Sequence, residues 1–113
     1  DYYLEAGDYL ENLPVSIIVD KNSASSAEIF AGIFQYFNRG KVIGQKTFGK
    51  GVGQSVMYFT DNIQYAMTTF EFFIGKEKIK INEIGITPDI LIEEDYIDNK
   101  DIYIQEAINS LIN

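Results

Sequence analysis

The first half of the chain has the apolar pattern of a strand, a helix and a second strand. The β-branched run at residues 15–19 ends in polar residues and predicts a buried strand. Residues 25–38 predict a helix that is buried on most sides, because apolar residues fill one broad face of it. That face is formed by Phe30, Ile33, Phe34 and Phe37. Gly40 ends the helix and residues 41–44 form the next strand, so the order predicts a βαβ unit with a parallel strand pair.

The second half of the chain predicts short strands followed by a terminal helix. Strand-like segments separated by turn residues occupy residues 54–59, 63–73, 78–81 and 90–92. The first two are joined by a tight turn at Asp61-Asn62. The tail from Asp101 predicts an amphipathic helix with Ile104, Ala107, Ile108 and Leu111 on its apolar face. Residues 1–13 fit either a helical stripe or a strand followed by a loop.

Composition narrows the class of protein. With 113 residues, of which 46% are apolar, the chain suits one domain with a real core. Its net charge is −8, and the nine lysines and arginines are scattered rather than arranged in a stripe. Nucleic-acid binding needs a concentrated basic surface, so we exclude nucleic acid as a partner.

The absence of histidine and cysteine restricts the possible chemistry. The chain contains neither residue, which excludes a Ser-His-Asp triad, a thiol nucleophile and a cysteine-ligated zinc site within it. Acid–base chemistry within the chain therefore falls to lysine, aspartate, glutamate or tyrosine.

The first candidate site is the junction between the first strand and the helix, around Ser25. One interpretation is structural: Ser25 and Glu28 have the spacing of a capping box. The other is catalytic. A serine at a helix start lies beside free N–H groups, and the N–H of Ser26 could stabilise an oxyanion. In that case Asn22 or Ser23 would serve as the helix cap.

The second candidate is Lys50, which stands between Gly49 and Gly51. Considered by itself, Lys50 is most simply interpreted as a solvent-exposed lysine in a loop. It could act as a general base if Phe48, Val52 and the aromatic helix face buried it, since burial favours the neutral amine. Gln54 follows four residues later, where its amide could orient the lysine.

Together, these segments resemble the signature of the C-terminal processing (tail-specific) serine peptidases of the S41 type. The matching motifs are Ser25-Ser26-Ala27-Glu28-Ile29, Thr47-Phe48-Gly49-Lys50-Gly51 with Gln54, Thr68-Thr69, and Gly85-Ile86-Thr87-Pro88-Asp89-Ile90. The spacing of Ser25, Lys50 and Gln54 matches the family without a gap. One departure is Ser26-Ala27, where the family usually has alanine and then serine.

The resemblance implies a fold, catalytic roles for particular residues, and further domains that this chain does not contain. The implied fold is α/β, a mixed sheet with flanking helices in a partial crotonase-like or ClpP-like protease core. The implied catalytic residues are Ser25 as nucleophile, Lys50 as base and Gln54 as the residue that orients it, with Ser26 N–H in the oxyanion hole. No metal or organic cofactor is implied. Residues 1–113 would be the C-terminal part of the catalytic domain, without the PDZ domain and N-terminal half that family members carry.

The implied function is a serine endopeptidase that cleaves near protein C-termini through an acyl-enzyme, in the cell envelope or outside the cytoplasm. Its partners would be protein or peptide substrates, and it could be a homo-oligomer. The alternative is a catalytically silent piece that acts as a structural or protein-interaction module.

Overall fold

The structure is a computed structural model that describes residues 12–93, 96–97 and 100–112. In chain order its elements are β1 (Ser16–Val19), α1 (Ser26–Tyr36), β2 (Lys41–Gly44), β3 (Val52–Thr60), β4 (Ile63–Glu71), β5 (Phe73–Ile74), β6 (Ile79–Lys80), β7 (Ile90–Leu91), β8 (Tyr96–Ile97), β9 (Lys100–Asp101) and α2 (Ile102–Ile112). The ambiguous segment at residues 1–13 lies outside the described residues except for its last two positions. Neither helix has the length and hydropathy that crossing a membrane requires.

A three-stranded parallel sheet in the order β1-β2-β7 is the centre of the fold. β1 pairs with β2 from Ser16↔Lys41 to Val19↔Gly44, so the predicted βαβ unit and its parallel pair are confirmed. β7 joins the other edge of β2. Asp89 fixes this edge, because its N–H donates to the Val42 carbonyl at 2.8 Å and its Oδ2 accepts from Val42 N–H at 2.8 Å.

The remaining described strands form antiparallel pairs. β3 pairs with β4, β5 with β6, and β8 with β9. The long hairpin β3–β4, predicted with its turn at Asp61-Asn62, is confirmed. The α/β class is also confirmed. Among the described residues, however, the parallel and antiparallel strands lie in separate small sheets rather than in one mixed sheet.

The two sides of the parallel sheet hold two apolar clusters. Successive residues of a strand point to opposite faces, and the central strand β2 shows this directly. Val42 packs with residues of α1, β5 and the segment after β6, whereas Ile43 packs with Ile92 and Ala107 of α2. Both strand residues are fully buried, as expected for a parallel strand covered on both faces.

The expectation that α1 is buried on most sides is wrong for this chain. Its aromatic face is open, with Phe30 55% and Phe37 69% exposed. The buried face instead carries Glu28, Ala31 and Gly32. A Cβ on Gly32 would collide with the end of the Ile74 side chain, so a larger residue here would require Ile74 to shift. Helical spacing identifies the apolar face of a helix, but in α1 the face that packs closely against the rest of the protein is the one with the small residues Ala31 and Gly32.

The terminal helix α2 shows a similar shift of its buried face. The helix itself is confirmed at Ile102–Ile112. Of the predicted apolar stripe only Ala107 is buried, and Ile104 is 53% exposed. Ser110 faces the sheet instead: its Oγ lies 2.5 Å from Ser16 Oγ, and Ser16 Oγ also donates to the Ala107 carbonyl at 3.2 Å.

Candidate active site

Ser25 occupies a strained backbone conformation at the start of α1. It is the N-cap residue, with φ 57° and ψ −118°. L-residues rarely adopt positive φ at such ψ values, and the conformation costs about 1–3 kcal/mol where surrounding structure holds it. A sharp, strained turn between a strand and a helix is also how a nucleophilic serine is presented in other hydrolases. The strain at Ser25 therefore supports the catalytic interpretation of this junction.

The strain at Ser25 can be measured directly. We expect Ser25→Gly to be more stable than Ser25→Ala by about 1 kcal/mol, because glycine adopts this backbone conformation freely and alanine does not. Chemical denaturation of both variants gives the difference. Both substitutions remove the hydroxyl, so the comparison isolates the backbone; equal stability of the two would contradict the strain.

Glu28 is the polar centre of the site. Its carboxylate is fully buried beneath the first turn of α1 and accepts four hydrogen bonds. Oε1 accepts from Thr47 Oγ1 at 2.5 Å and from Gly49 N–H at 2.6 Å. Oε2 accepts from Ser25 N–H and from Lys50 N–H, both at 2.8 Å. One oxygen atom therefore joins the backbone of the candidate nucleophile to the backbone of the candidate base.

The capping-box interpretation of Ser25 and Glu28 is confirmed: Ser25 is the N-cap of α1, and Glu28 reaches back to accept from Ser25 N–H. The serine side chain stands opposite Glu28 N–H in the capping-box arrangement, but it makes no capping hydrogen bond of ordinary geometry. That N–H donates to the Ser25 carbonyl at 3.0 Å instead.

The glycine-rich loop that carries Lys50 is held from its other side by residues 82–86. Gly51 N–H donates to Asn82 Oδ1 at 3.2 Å, and Glu83 N–H donates to the Gly49 carbonyl at 2.8 Å. A Cβ on Gly51 would lie 2.3 Å from Asn82 N, so this contact needs glycine. The backbone of the loop is therefore fixed by its neighbours on both sides.

Thr47 links this loop to the segment that precedes β7. Its Oγ1 accepts from Ile86 N–H at 2.7 Å while donating to Glu28, and its N–H donates to the Ile86 carbonyl at 3.1 Å. The serine, lysine and closing motifs of the sequence therefore meet at one buried cluster.

The side chains of the predicted site residues are less closely assembled than their backbones. Ser25 is half-buried, whereas Lys50 and Gln54 are exposed. Phe48 is 68% exposed, so it does not bury Lys50 as expected. Among the described residues, the backbone N–H groups of Ser25 and Lys50 both donate to Glu28, and no hydrogen bond joins the serine hydroxyl to the lysine amine. Their chemical roles stay predictions.

The other two predicted contributors, Ser26 and Gln54, lie on α1 and β3. Ser26 is the first residue of α1, where a backbone N–H has no acceptor within the helix. Its side chain is exposed, and the family resemblance assigns the oxyanion role to its backbone N–H. Gln54 is the third residue of β3, where it lies opposite Thr68.

The expectation that Asn22 or Ser23 caps α1 is wrong, because both belong to a turn closed by Asp20. Asp20 Oδ1 accepts from Asn22 N–H at 3.0 Å and from Ser23 N–H at 2.8 Å. Slight burial raises the pKa of Asp20, but hydrogen bonds from Ser23 and Asn22 outweigh it and leave the pKa below its usual value. The Ser23 carbonyl in this turn also accepts a hydrogen bond from Phe48 N–H at 3.0 Å, which connects the turn to the glycine-rich loop that carries Lys50.

Sequence reasoning recognised Glu28 as a cap and a motif residue but missed its role as a shared acceptor. A signal was present: a glutamate on an otherwise apolar helix has to be paired with donors if it is buried. Thr47 was quoted only as part of a motif. Its role depends on Ile86, which lies 39 residues away in the chain, and no local pattern reveals such a pair.

Comparison with known proteins gives one consistent result. The profile of peptidase family S41 matches residues 2–92. A probable CtpA-like serine protease from Staphylococcus saprophyticus is 40% identical over 90 residues, and the carboxy-terminal-processing protease of Bartonella bacilliformis is 35% identical over 88 residues. These alignments cover 80% and 78% of this chain.

A solved structure agrees with the sequence relatives. The photosystem II D1 C-terminal processing protease superposes with a TM-score of 0.60 at 26% identity, over 83% of this chain and 22% of that one. The chain spans 18% and 20% of the length of the two bacterial relatives, so it corresponds to about a fifth of such proteins. On the strength of this match over most of its length, the chain belongs to peptidase family S41, the C-terminal processing serine proteases.

Proposed function

We propose that this chain supplies the catalytic serine and lysine of an endopeptidase that cleaves proteins near their C-termini. The observation that carries the proposal is the shared acceptor: Glu28 Oε2 takes the N–H groups of both Ser25 and Lys50 at 2.8 Å. A single buried atom thereby fixes the separation of the two backbones. Such fixed placement of a nucleophile and a base is what acyl transfer requires.

The proposed reaction is peptide hydrolysis in two steps. Neutral Lys50 removes the Ser25 Oγ proton as the oxygen attacks the scissile carbonyl, and Ser26 N–H donates to the oxyanion. Lys50 then returns that proton to the departing amine, which leaves an acyl ester on Ser25. A water molecule, deprotonated by Lys50, hydrolyses the ester and restores the hydroxyl. Gln54 holds the lysine amine in place by accepting a hydrogen bond from it.

The proposal extends to the longer protein. The chain would form the C-terminal part of a crotonase-like protease domain, preceded by the first half of that domain and a PDZ domain. The exposure of Lys50 fits this arrangement, since the remaining half would cover the lysine and exclude the water that stabilises its charged form. Protein or peptide substrates, action outside the cytoplasm and homo-oligomeric assembly belong to the same proposal.

A second candidate function is a structural or interaction module without activity of its own. The exposure of Lys50, with no hydrogen bond from its amine to Ser25 in the described part of the chain, favours this for the 113 residues by themselves. A fluorogenic peptide assay separates the two. Turnover by the isolated chain would refute the silent module, and turnover only by the longer protein would support it for the isolated chain.

The nucleophile assignment is tested by covalent labelling of the longer protein. A fluorophosphonate should form one adduct, and peptide mapping by mass spectrometry should place it on Ser25 rather than on neighbouring Ser23 or Ser26. Prior denaturation should abolish labelling, because a serine is activated only by its folded surroundings. An active peptidase labelled at another serine, or not labelled at all, would overturn the assignment.

A further inference from the structure

The hairpin formed by β3 and β4 has an irregularity beside Gln54. In a regular antiparallel ladder, a step of one residue forward on one strand is matched by one residue back on the other. Gly53 pairs with Phe70. A regular ladder would then pair Gln54 with Thr69, but Gln54 pairs with Thr68. Thr69 is therefore an extra residue in β4, and the two strands form a β-bulge at this point.

The position of the bulge matters because Gln54 has to reach Lys50. Gln54 is four residues beyond Lys50, and four residues of extended strand span roughly 13 Å, so the directions of the two side chains decide whether they meet. A β-bulge bends the strand that carries it and increases the local twist of the pair, which re-aims nearby side chains. This bulge lies between Gly53 and Gln54, that is, between the lysine loop and the residue that orients the lysine in the proposed reaction.

Two side-chain contacts hold the bulge in place, and both involve the chain neighbours of Gln54. Ser55 Oγ lies 2.9 Å from Thr69 Oγ1, so a hydrogen bond between the two hydroxyls ties the extra residue to β3. On the other side, the Phe70 ring lies 2.2 Å from the position that a Cβ of Gly53 would take, so it packs on the bare backbone of the glycine. The residues immediately before and after Gln54 are thus both fastened to β4.

The same segment of β4 also contacts the lysine loop. Phe72 N–H donates to the Gly51 carbonyl at 2.7 Å, next to Lys50. The rings of Phe70 and Phe72 pack edge to face with their centroids 5.0 Å apart. Residues 69–72 therefore connect the loop that carries the lysine to the strand that carries the glutamine.

The contacts that hold the bulge lie on the face away from the Gln54 side chain. Successive side chains of a strand point to opposite faces, so Gly53 and Ser55 share one face of β3 and Gln54 points to the other. The Gln54 side chain is exposed. The bulge is thus held from behind, and its contacts leave the face that carries the Gln54 amide uncovered.

We propose that the β-bulge at Thr69 directs the Gln54 amide towards the Lys50 amine, with Thr69 and Ser55 as positioning residues that act through Gln54. The inference rests on the proposed function, because it depends on the role that Gln54 has in that reaction. It also separates the two adjacent threonines of the sequence. Thr68 is the regular partner of Gln54 across the hairpin, whereas Thr69 is the residue that forms the bulge.

Deletion of Thr69 tests the proposal in the longer protease. Without Thr69, the pairs on both sides of the bulge fall into one continuous register, so the hairpin can remain paired while the bend is lost. Kinetics on a fluorogenic peptide should show kcat lowered by about tenfold or more, with KM within about twofold of wild type. The matched control is deletion of Phe59, the extra residue of a second register shift between Tyr58 and Thr60, which should keep kcat within about twofold.

A double variant distinguishes positioning of Gln54 from a general loss of structure. Gln54→Ala should lower kcat to about the same level as deletion of Thr69. Combining the two changes should slow the enzyme no further, because the bulge acts only through Gln54. Melting temperatures of all variants check that they remain folded.

A milder pair of substitutions tests the hydroxyl bond and also decides the matter if the deletion variant does not fold. Thr69→Val removes the hydroxyl but keeps the branched shape, and it should lower kcat by about threefold or more. Thr69→Ser retains the hydroxyl and should keep the wild-type kcat.

The outcomes separate this inference from the proposed function. Equal activity of Thr69→Val and Thr69→Ser, or a deletion variant that is folded and fully active while Gln54→Ala is slow, overturns the bulge as a positioning device and leaves the proposed reaction intact. A deletion that slows Gln54→Ala further also overturns it, because the bulge would then act by another route. Wild-type kcat of Gln54→Ala overturns the role of Gln54 in the proposed reaction, and this inference with it.

Discussion

Ser25→Ala and Lys50→Ala are each expected to abolish peptide cleavage by the longer protease, with kcat falling by about 10⁴-fold or more. Without the serine there is no acyl-enzyme, and without the lysine no group in this chain removes the hydroxyl proton. The double variant should be no slower than either single variant, because the two residues act as one unit. Steady-state kinetics on a fluorogenic peptide measures all three.

The same variants should fold normally, which distinguishes loss of chemistry from loss of structure. Lys50 is held through its backbone N–H, and alanine retains that group. Lys46→Ala is the matched control, since Lys46 is an exposed lysine four residues away and should keep wild-type kcat. Wild-type turnover by Lys50→Ala would refute the lysine as base, and lost turnover together with a lowered melting temperature would point to a structural cause.

Glu28→Ala is expected to have the largest effect on stability, lowering the free energy of unfolding by about 3–5 kcal/mol. The substitution leaves the N–H groups of Ser25, Gly49 and Lys50 and the hydroxyl of Thr47 without their acceptor in a buried site. A loss of this size is a large fraction of the stability of a typical domain. Urea denaturation of the wild type and the variant measures it.

The control for Glu28 is a glutamate without buried partners. In the part of the chain that the structure describes, Glu71 forms one ion pair, with Lys80 at 3.5 Å on the surface, so Glu71→Ala should change stability by no more than about 1 kcal/mol. Glu28→Gln is the sharper probe, because its amide group would face N–H donors and should restore only part of the loss. If Glu28→Ala matched Glu71→Ala in stability, the buried acceptor would not hold the site together.

Glu28→Gln should also lower kcat even where the protein is still folded, because the single amide oxygen can replace only one of the two carboxylate oxygens and the NH2 group would face the other pair of donors. Glu28 is in this sense a positioning residue. A variant that is folded, labelled normally at Ser25 and fully active would show that the serine and lysine are placed by other contacts.

Local patterns predicted most of the elements. Period-two and β-branched runs located β1, β2 and the long hairpin, and helical spacing located both helices. They failed on which faces are buried, as the exposure of Phe30 and Phe37 shows. A helix's apolar face is visible in the sequence, but its partner is not, and here the small residues Ala31 and Gly32 take the close contact.

The candidate site, too, was predicted from the sequence only in part. Motif spacing brought Ser25, Lys50 and Gln54 together as a hypothesis, but it could not show that Lys50 is exposed in this chain. Nor could it show the contact between Thr47 and Ile86, which depends on chain segments 39 residues apart.

The sequence by itself determined the family, the α/β class and the exclusion of histidine and cysteine chemistry, because these follow from residue identity and local spacing. Tertiary structure alone decided that Glu28 is the buried acceptor for four donors and that Ser25 is strained. The physical reason is that burial and hydrogen bonding depend on which distant segments meet. A carboxylate becomes a shared acceptor only when a helix start and a glycine-rich loop are folded onto it.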